Sequence, residues 1–179
     1  MNRREALQLT AAAIGGTIIG SEIFLSGCST AKESKFLLSD QDVMLLDEIG
    51  ETILPESDKS PGAKAAHIGE FMRTMVTDCY DDKEQEIFIS GLRKIEQEAE
   101  KNFDNSFIQL SNENRVKLLT PYDKDAQENE NHFFAMMKQL TIWGYFTSEP
   151  GATNALRYNP IPGRFEGCIP YQSGDKAWA

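Results

Sequence analysis

HFFAMMKQLTIWGYFTSEPGATNALRYNPIPGRFEGC, residues 132–168, decides how the rest of the chain is read. In its first half Phe133, Phe134, Met136, Met137, Leu140, Ile142, Trp143 and Phe146 surround nearly the whole circumference of a helix expected over about 129–146. A helix apolar on all sides is buried, because no polar face remains to meet water. Such a segment is either the central helix of its domain or a helix with one face covered by another protein. The second half cannot continue it. Pro150, Pro160, Pro162 and Pro170 are interspersed with Gly151, Gly163, Gly167 and Gly174. That density removes helical donors and leaves no strand alternation, so residues 148–179 are expected to form an extended tail.

Upstream, the pattern is that of helices built to pack against this segment. Ser39 reads as an N-cap with Asp40 and Asp42 in the first turn, and Val43, Leu46, Ile49 and Ile53 recur at helical spacing until Leu54-Pro55. Asp40, Asp42, Asp47, Glu48 and Glu51 read as the solvated face of that helix. A second helix is expected from near Ala63 toward Tyr80, and a third after Asp81-Asp82 through Phe88, Leu92, Ile95 and Ala99. Ser111 caps a short fourth helix through Val116, Leu118 and Leu119, which Pro121 is expected to interrupt. The fold class is therefore all-α, with about five helices in one domain over residues 38–179 and an extended Gly/Pro-rich tail.

The N-terminus reads as an address rather than as part of that domain. Adjacent Arg3 and Arg4 precede a moderately apolar run from Ala6 to Leu25, broken by Gly15, Gly16, Gly20 and Glu22. A basic start, a short apolar middle and small residues at its end make a secretory signal over residues 1–27, and paired arginines point to the twin-arginine route. Leu25-Ser26-Gly27-Cys28 resembles a bacterial lipobox, which assigns Cys28 to lipidation. Residues 28–37 then read as a polar tether. The expected location is the periplasmic side of the envelope, held by a lipid anchor.

The net charge of −10 argues against nucleic acid, which needs clustered Lys and Arg, and against electrostatic attraction to anionic lipid. Cys79 and Cys168 remain once Cys28 is set aside; outside the cytoplasm they either pair as a disulfide or stay as buried free thiols. His67 and His132 are the only histidines; Glu70, three residues after His67, reads as a surface helix pair, and no second His is spaced to make a metal site. No G-x-G-x-x-G, G-x-x-x-x-G-K-[ST] or G-x-S-x-G occurs. No catalytic, cofactor-binding or metal-ligating residues are expected. The positive signal is aromatic: Trp143, Tyr145, Phe146, Tyr158, Phe165, Tyr171 and Trp178 gather near the C-terminus. Such rings either anchor a partner or fold back over the chain's own helices.

In order along the chain stand the paired arginines, Leu54-Pro55 with Pro61-Gly62-Ala63, Gly144-Tyr145-Phe146-Thr147-Ser148-Glu149, Tyr158-x-Pro160-x-Pro162-Gly163 and Gly167-Cys168. This order resembles the gluconate 2-dehydrogenase subunit 3 family. The resemblance implies a non-catalytic small subunit of a periplasmic flavin-dependent sugar or polyol dehydrogenase. It places FAD and the oxidation in a large glucose–methanol–choline-type partner subunit, with a cytochrome c subunit as a further partner. It gives this chain the tasks of export and maturation. On that reading Trp143, Tyr145, Phe146, Tyr158, Pro160, Pro162 and Phe165 face the partner. The lipobox departs from what that role requires and adds a tether. The alternative is a stand-alone envelope lipoprotein that binds a small ligand or an envelope component.

Overall fold

The computed structural model describes residues 38–129, 131–161, 163 and 167–178, together with Arg4. Arg3, Cys28, Pro162 and Phe165 lie outside the described residues. Five α-helices carry the domain: α1 (Asp40–Ile53), α2 (Ile68–Cys79), α3 (Asp82–Phe103), α4 (Asn112–Glu128) and α5 (Phe133–Thr147). No strand is present among the described residues. An all-α domain is what the hydrophobic spacing required.

Two helix starts follow directly from their capping residues. The Ser39 hydroxyl accepts from the Asp42 N–H while the Asp42 carboxylate accepts from the Ser39 N–H at 2.9 Å, a reciprocal capping box on α1. Asp81 and Glu84 make the same exchange at the start of α3. Each arrangement satisfies backbone donors that the first helical turn leaves without partners.

The second helix is not the single run expected from Ala63 to Tyr80. A 3-10 turn over Ala63–Ala66 comes first, His67 then adopts a left-handed conformation with φ 51°, and α2 begins at Ile68. The cause lies on α1. Glu51 accepts from the Lys64 N–H at 2.9 Å, and Asp47 accepts from the Gly69 N–H at 2.8 Å. The chain turns at His67 between these two anchored points. Gly69 then sits so close to α1 that a Cβ there would lie 2.3 Å from the Val43 carbonyl oxygen.

The fourth helix runs straight through Pro121 to Glu128, where an interruption was expected. Pro121 lies on the exposed face, so water can satisfy the carbonyl that loses its donor. Leu118, Leu119 and Tyr122 are buried on the opposite side. Their packing outweighs the roughly 3 kcal/mol penalty of an interior proline. After α5 the expectation of no further helix is corrected by one π-helical turn, Gly151–Ala155.

The core joins Leu46 and Ile49 of α1, Ile68, Met72 and Val76 of α2, Phe88, Leu92 and Ile95 of α3, and Met137 and Leu140 of α5. Helix α5 packs against all four others and is the central helix. A Cβ at Gly144 would fall 2.4 Å from Ile68 Cδ1, so a larger residue would push α5 off α2.

The acids of α1 depart most from the solvated face expected of them. Asp42 is buried and accepts a bidentate pair from Arg93, with Nη2 to Oδ2 at 2.9 Å. Glu48 pairs with Lys64 and with Arg115, whose Nη1 stands 2.6 Å from Oε2. Arg115 also donates to the carbonyls of Phe107 at 3.3 Å and Ile108 at 2.5 Å, tying the α3–α4 connection to α1. Asp42 thus ties α1 to α3, while Asp47, Glu48 and Glu51 hold neighbouring connections and helix starts in place. Periodicity cannot reveal this, because their partners are remote in sequence.

Candidate functional site

The geometry worth reading for function is the outward side of α5. A helix with apolar residues on every side, packed by four neighbours, still leaves one stripe to solvent. Ile142, Trp143 and Phe146 form it, at 44 %, 53 % and 36 % exposure. Their i, i+1, i+4 spacing puts them on one face. The helix is central, as the first of the two expectations had it, and one apolar stripe of it is partly exposed. Trp143 and Phe146 thus stand where a partner could reach them.

Tyr145 does not. Its ring is only 2 % exposed, and its hydroxyl donates to the Pro61 carbonyl at 2.5 Å while sharing a further hydrogen bond with Ser60. The expectation that it faces a partner is corrected: Tyr145 points inward and fastens α5 to the loop before the 3-10 turn. The physical reason is that a buried phenol needs a partner, and the turned-back loop supplies two.

Two of the predicted tail residues lie among the described residues. Tyr158 and Pro160 are exposed, as are Ile161, Ile169, Tyr171 and Trp178. The tail is also tied near both ends. The Arg157 N–H donates to the Ala177 carbonyl at 2.7 Å, and the Arg157 guanidinium lies 4.3 Å from the Trp178 ring centroid. Lys176 reaches the Asn154 carbonyl. Cys79 and Cys168 are free and exposed in this structure, so it forms neither the bridge nor the buried pair of thiols allowed by the sequence.

The two histidines are structural here. His67 occupies the left-handed turn before α2. His132 caps α5 by accepting from the Phe134 N–H at Nδ1, 3.2 Å away, and burial lowers its pKa. Accepting that bond requires the neutral ring. Tyr122 is buried; burial, then the Glu98 carboxylate beside its hydroxyl and Asp125, push its pKa up. Among the described residues no group of three or more His, Cys, Asp or Glu is placed to hold a metal ion, and no helix is long and apolar enough to cross a membrane.

Sequence reasoning missed the ground beside the α5 stripe. A surface groove of about 320 Å³ runs between α4 and α5, walled by Ala126, Ala135, Ile142 and Trp143. Its α4 wall lies beyond Pro121, where the sequence was expected to interrupt the helix. The spacing of Leu119, Tyr122 and Ala126 was the signal that would have found it.

Comparison with known proteins bears on the same segment. The model of the family described as gluconate 2-dehydrogenase subunit 3 matches residues 40–163, from the first residue of α1 to beyond the π-helical turn. Neither the curated proteins nor the solved structures give a match. With more than half of its length matched, the chain belongs to the gluconate 2-dehydrogenase subunit 3 family.

Proposed function

We propose that this chain is the non-catalytic accessory subunit of a periplasmic FAD-dependent dehydrogenase of the glucose–methanol–choline type. The observation that carries the reading is the uncovered stripe of Ile142, Trp143 and Phe146 on a helix otherwise enclosed on all sides, in a chain of this family. Apolar rings in one contiguous patch are stable in water only at a cost, and burial against a second polypeptide removes it.

The division of labour follows from what each chain carries. A flavoprotein must fold around FAD before export, and the twin-arginine route transports folded cargo. Arg3 and Arg4 of this chain then serve as the address for both subunits, and Cys28 takes the lipid that holds the complex at the membrane. FAD belongs to the large subunit, and a cytochrome c subunit is a further electron-accepting partner. The role of this chain is to bind, accompany and tether.

Affinity capture of the full chain, followed by absorbance spectroscopy of the eluate, tests this. A second polypeptide bearing flavin is the expected result. A chain that purifies alone, with no flavin in any fraction, returns the reading to a stand-alone envelope lipoprotein.

A further inference from the structure

The central helix starts on an imidazole. Helix α5 has no acidic residue in its first turn, and its N-cap is His132, whose Nδ1 accepts from the Phe134 N–H at 3.2 Å. A backbone N–H can only donate, so this ring nitrogen must carry a lone pair. Of the helix caps in the described residues, Ser39, Asp81 and Ser111 keep their acceptors throughout the neutral range, and His132 alone changes charge between about pH 5 and 8.

The turn that this cap begins is anchored in the core. Phe133 and Phe134 follow it directly and are both buried. Phe133 lies so close to α3 that a Cβ at Gly91 would fall 2.1 Å from its Cγ, and it meets the Tyr122 ring of α4 edge to face at 5.1 Å. The His132 ring stands 4.3 Å from that of Phe133 and 6.2 Å from that of Tyr122. The cap therefore sits where α3, α4 and α5 come together.

Those surroundings resist an imidazolium. Burial lowers the pKa of His132; of the charges facing it, Asp125 of α4 opposes that shift and Lys94 of α3 adds to it. Glu98 of α3 faces the neighbouring Tyr122 hydroxyl. A proton on Nδ1 has two consequences at once. It turns the acceptor into a donor that faces the Phe134 N–H, and it puts a positive charge at the positive end of the helix.

We propose that His132 is an acid-released latch: protonation of Nδ1 uncaps α5, and the turn carrying Phe133 and Phe134 opens from α3 and α4 while the rest of the domain stays folded. The inference stands apart from the accessory-subunit reading and needs no partner. The closed turn excludes the proton that the opened turn takes up. Its hold is complete above the ordinary value of 6.5 and weakens as pH falls toward the lowered value of the closed state, by up to about tenfold per pH unit.

The test is native-state hydrogen exchange of the full chain, followed by NMR at pH 7.5 and pH 5.5 and corrected for the intrinsic pH dependence of exchange. Protection of the Phe134 amide is expected to fall about fivefold, while the amides of α2 change less than about twofold. His132→Asn supplies a cap that does not titrate and should hold Phe134 equally at both pH values. His132→Ala should leave it weakly protected at both. His67→Asn, which tolerates the left-handed turn, should keep the wild-type drop. Asp125→Asn should move the midpoint of opening to lower pH. A wild-type amide that stays protected at pH 5.5 overturns the latch. A drop that persists in His132→Asn places the titrating group elsewhere and overturns it too, as does an equal loss across α2 and α5. Should the variants fail to fold, the wild type decides alone: an imidazole titration of His132 that coincides with the opening midpoint supports the latch, and one that does not coincide overturns it.

Discussion

Trp143 and Tyr145 stand two residues apart on α5 and meet opposite surroundings, because two steps along a helix rotate a side chain by about 200°. Only Tyr145 finds acceptors and donors inside the domain. Tyr145→Phe removes its bonds to Pro61 and Ser60 and should cost about 1–2 kcal/mol. The check is a urea titration, in which the midpoint falls while the slope is unchanged. Asp42 supplies a second prediction. The hydrogen bond from Arg93 holds its carboxyl at about 2 against an ordinary 3.8, outweighing burial. Its pKa is lower folded than unfolded, so its contribution is present above about pH 4 and is lost as pH falls toward 2. That contribution is worth about 2 kcal/mol. Asp42→Asn should lower stability at neutral pH and flatten the stability profile across that acid window. Chemical denaturation at a series of pH values reads both effects.

At the scale of elements, agreement and disagreement with the sequence have separable causes. Starts governed by local chemistry stand where Ser39, Asp81 and Ser111 put them, since a cap needs only its neighbours. Two of the departures are of the opposite kind. A remote carboxylate pair on α1 breaks the helix near His67, and buried Leu118, Leu119 and Tyr122 carry α4 past Pro121. The helix continues despite Pro121, so Pro121→Ala should restore one backbone hydrogen bond and stabilise the protein by about 1–3 kcal/mol. Differential scanning calorimetry would show this as a rise of several degrees in Tm. A fall in Tm would mean that the ring of Pro121 packs favourably and that α4 is not under tension there.

For the whole molecule, the export proposal makes its own prediction. With Arg3→Lys and Arg4→Lys together, periplasmic delivery of this chain and of its flavoprotein should fall at least tenfold in fractionated cells. Unchanged delivery of both would separate the domain from the twin-arginine route. On the same proposal, Cys28→Ser should release the complex from the membrane fraction without loss of flavin. By itself the sequence determined the helical class, the apolar circumference of α5 and the family, since caps, 3.6-residue periodicity and an ordered set of Gly/Pro and aromatic residues are local features of the chain. Only the tertiary structure decided that α5 is the central helix and which side of it is left exposed, that Asp47, Glu48 and Glu51 of α1 hold neighbouring segments rather than face water, and that α4 persists far enough to wall a groove. Each of those depends on contacts between residues tens of positions apart, where burial energy and ion pairing override the local preferences of the backbone.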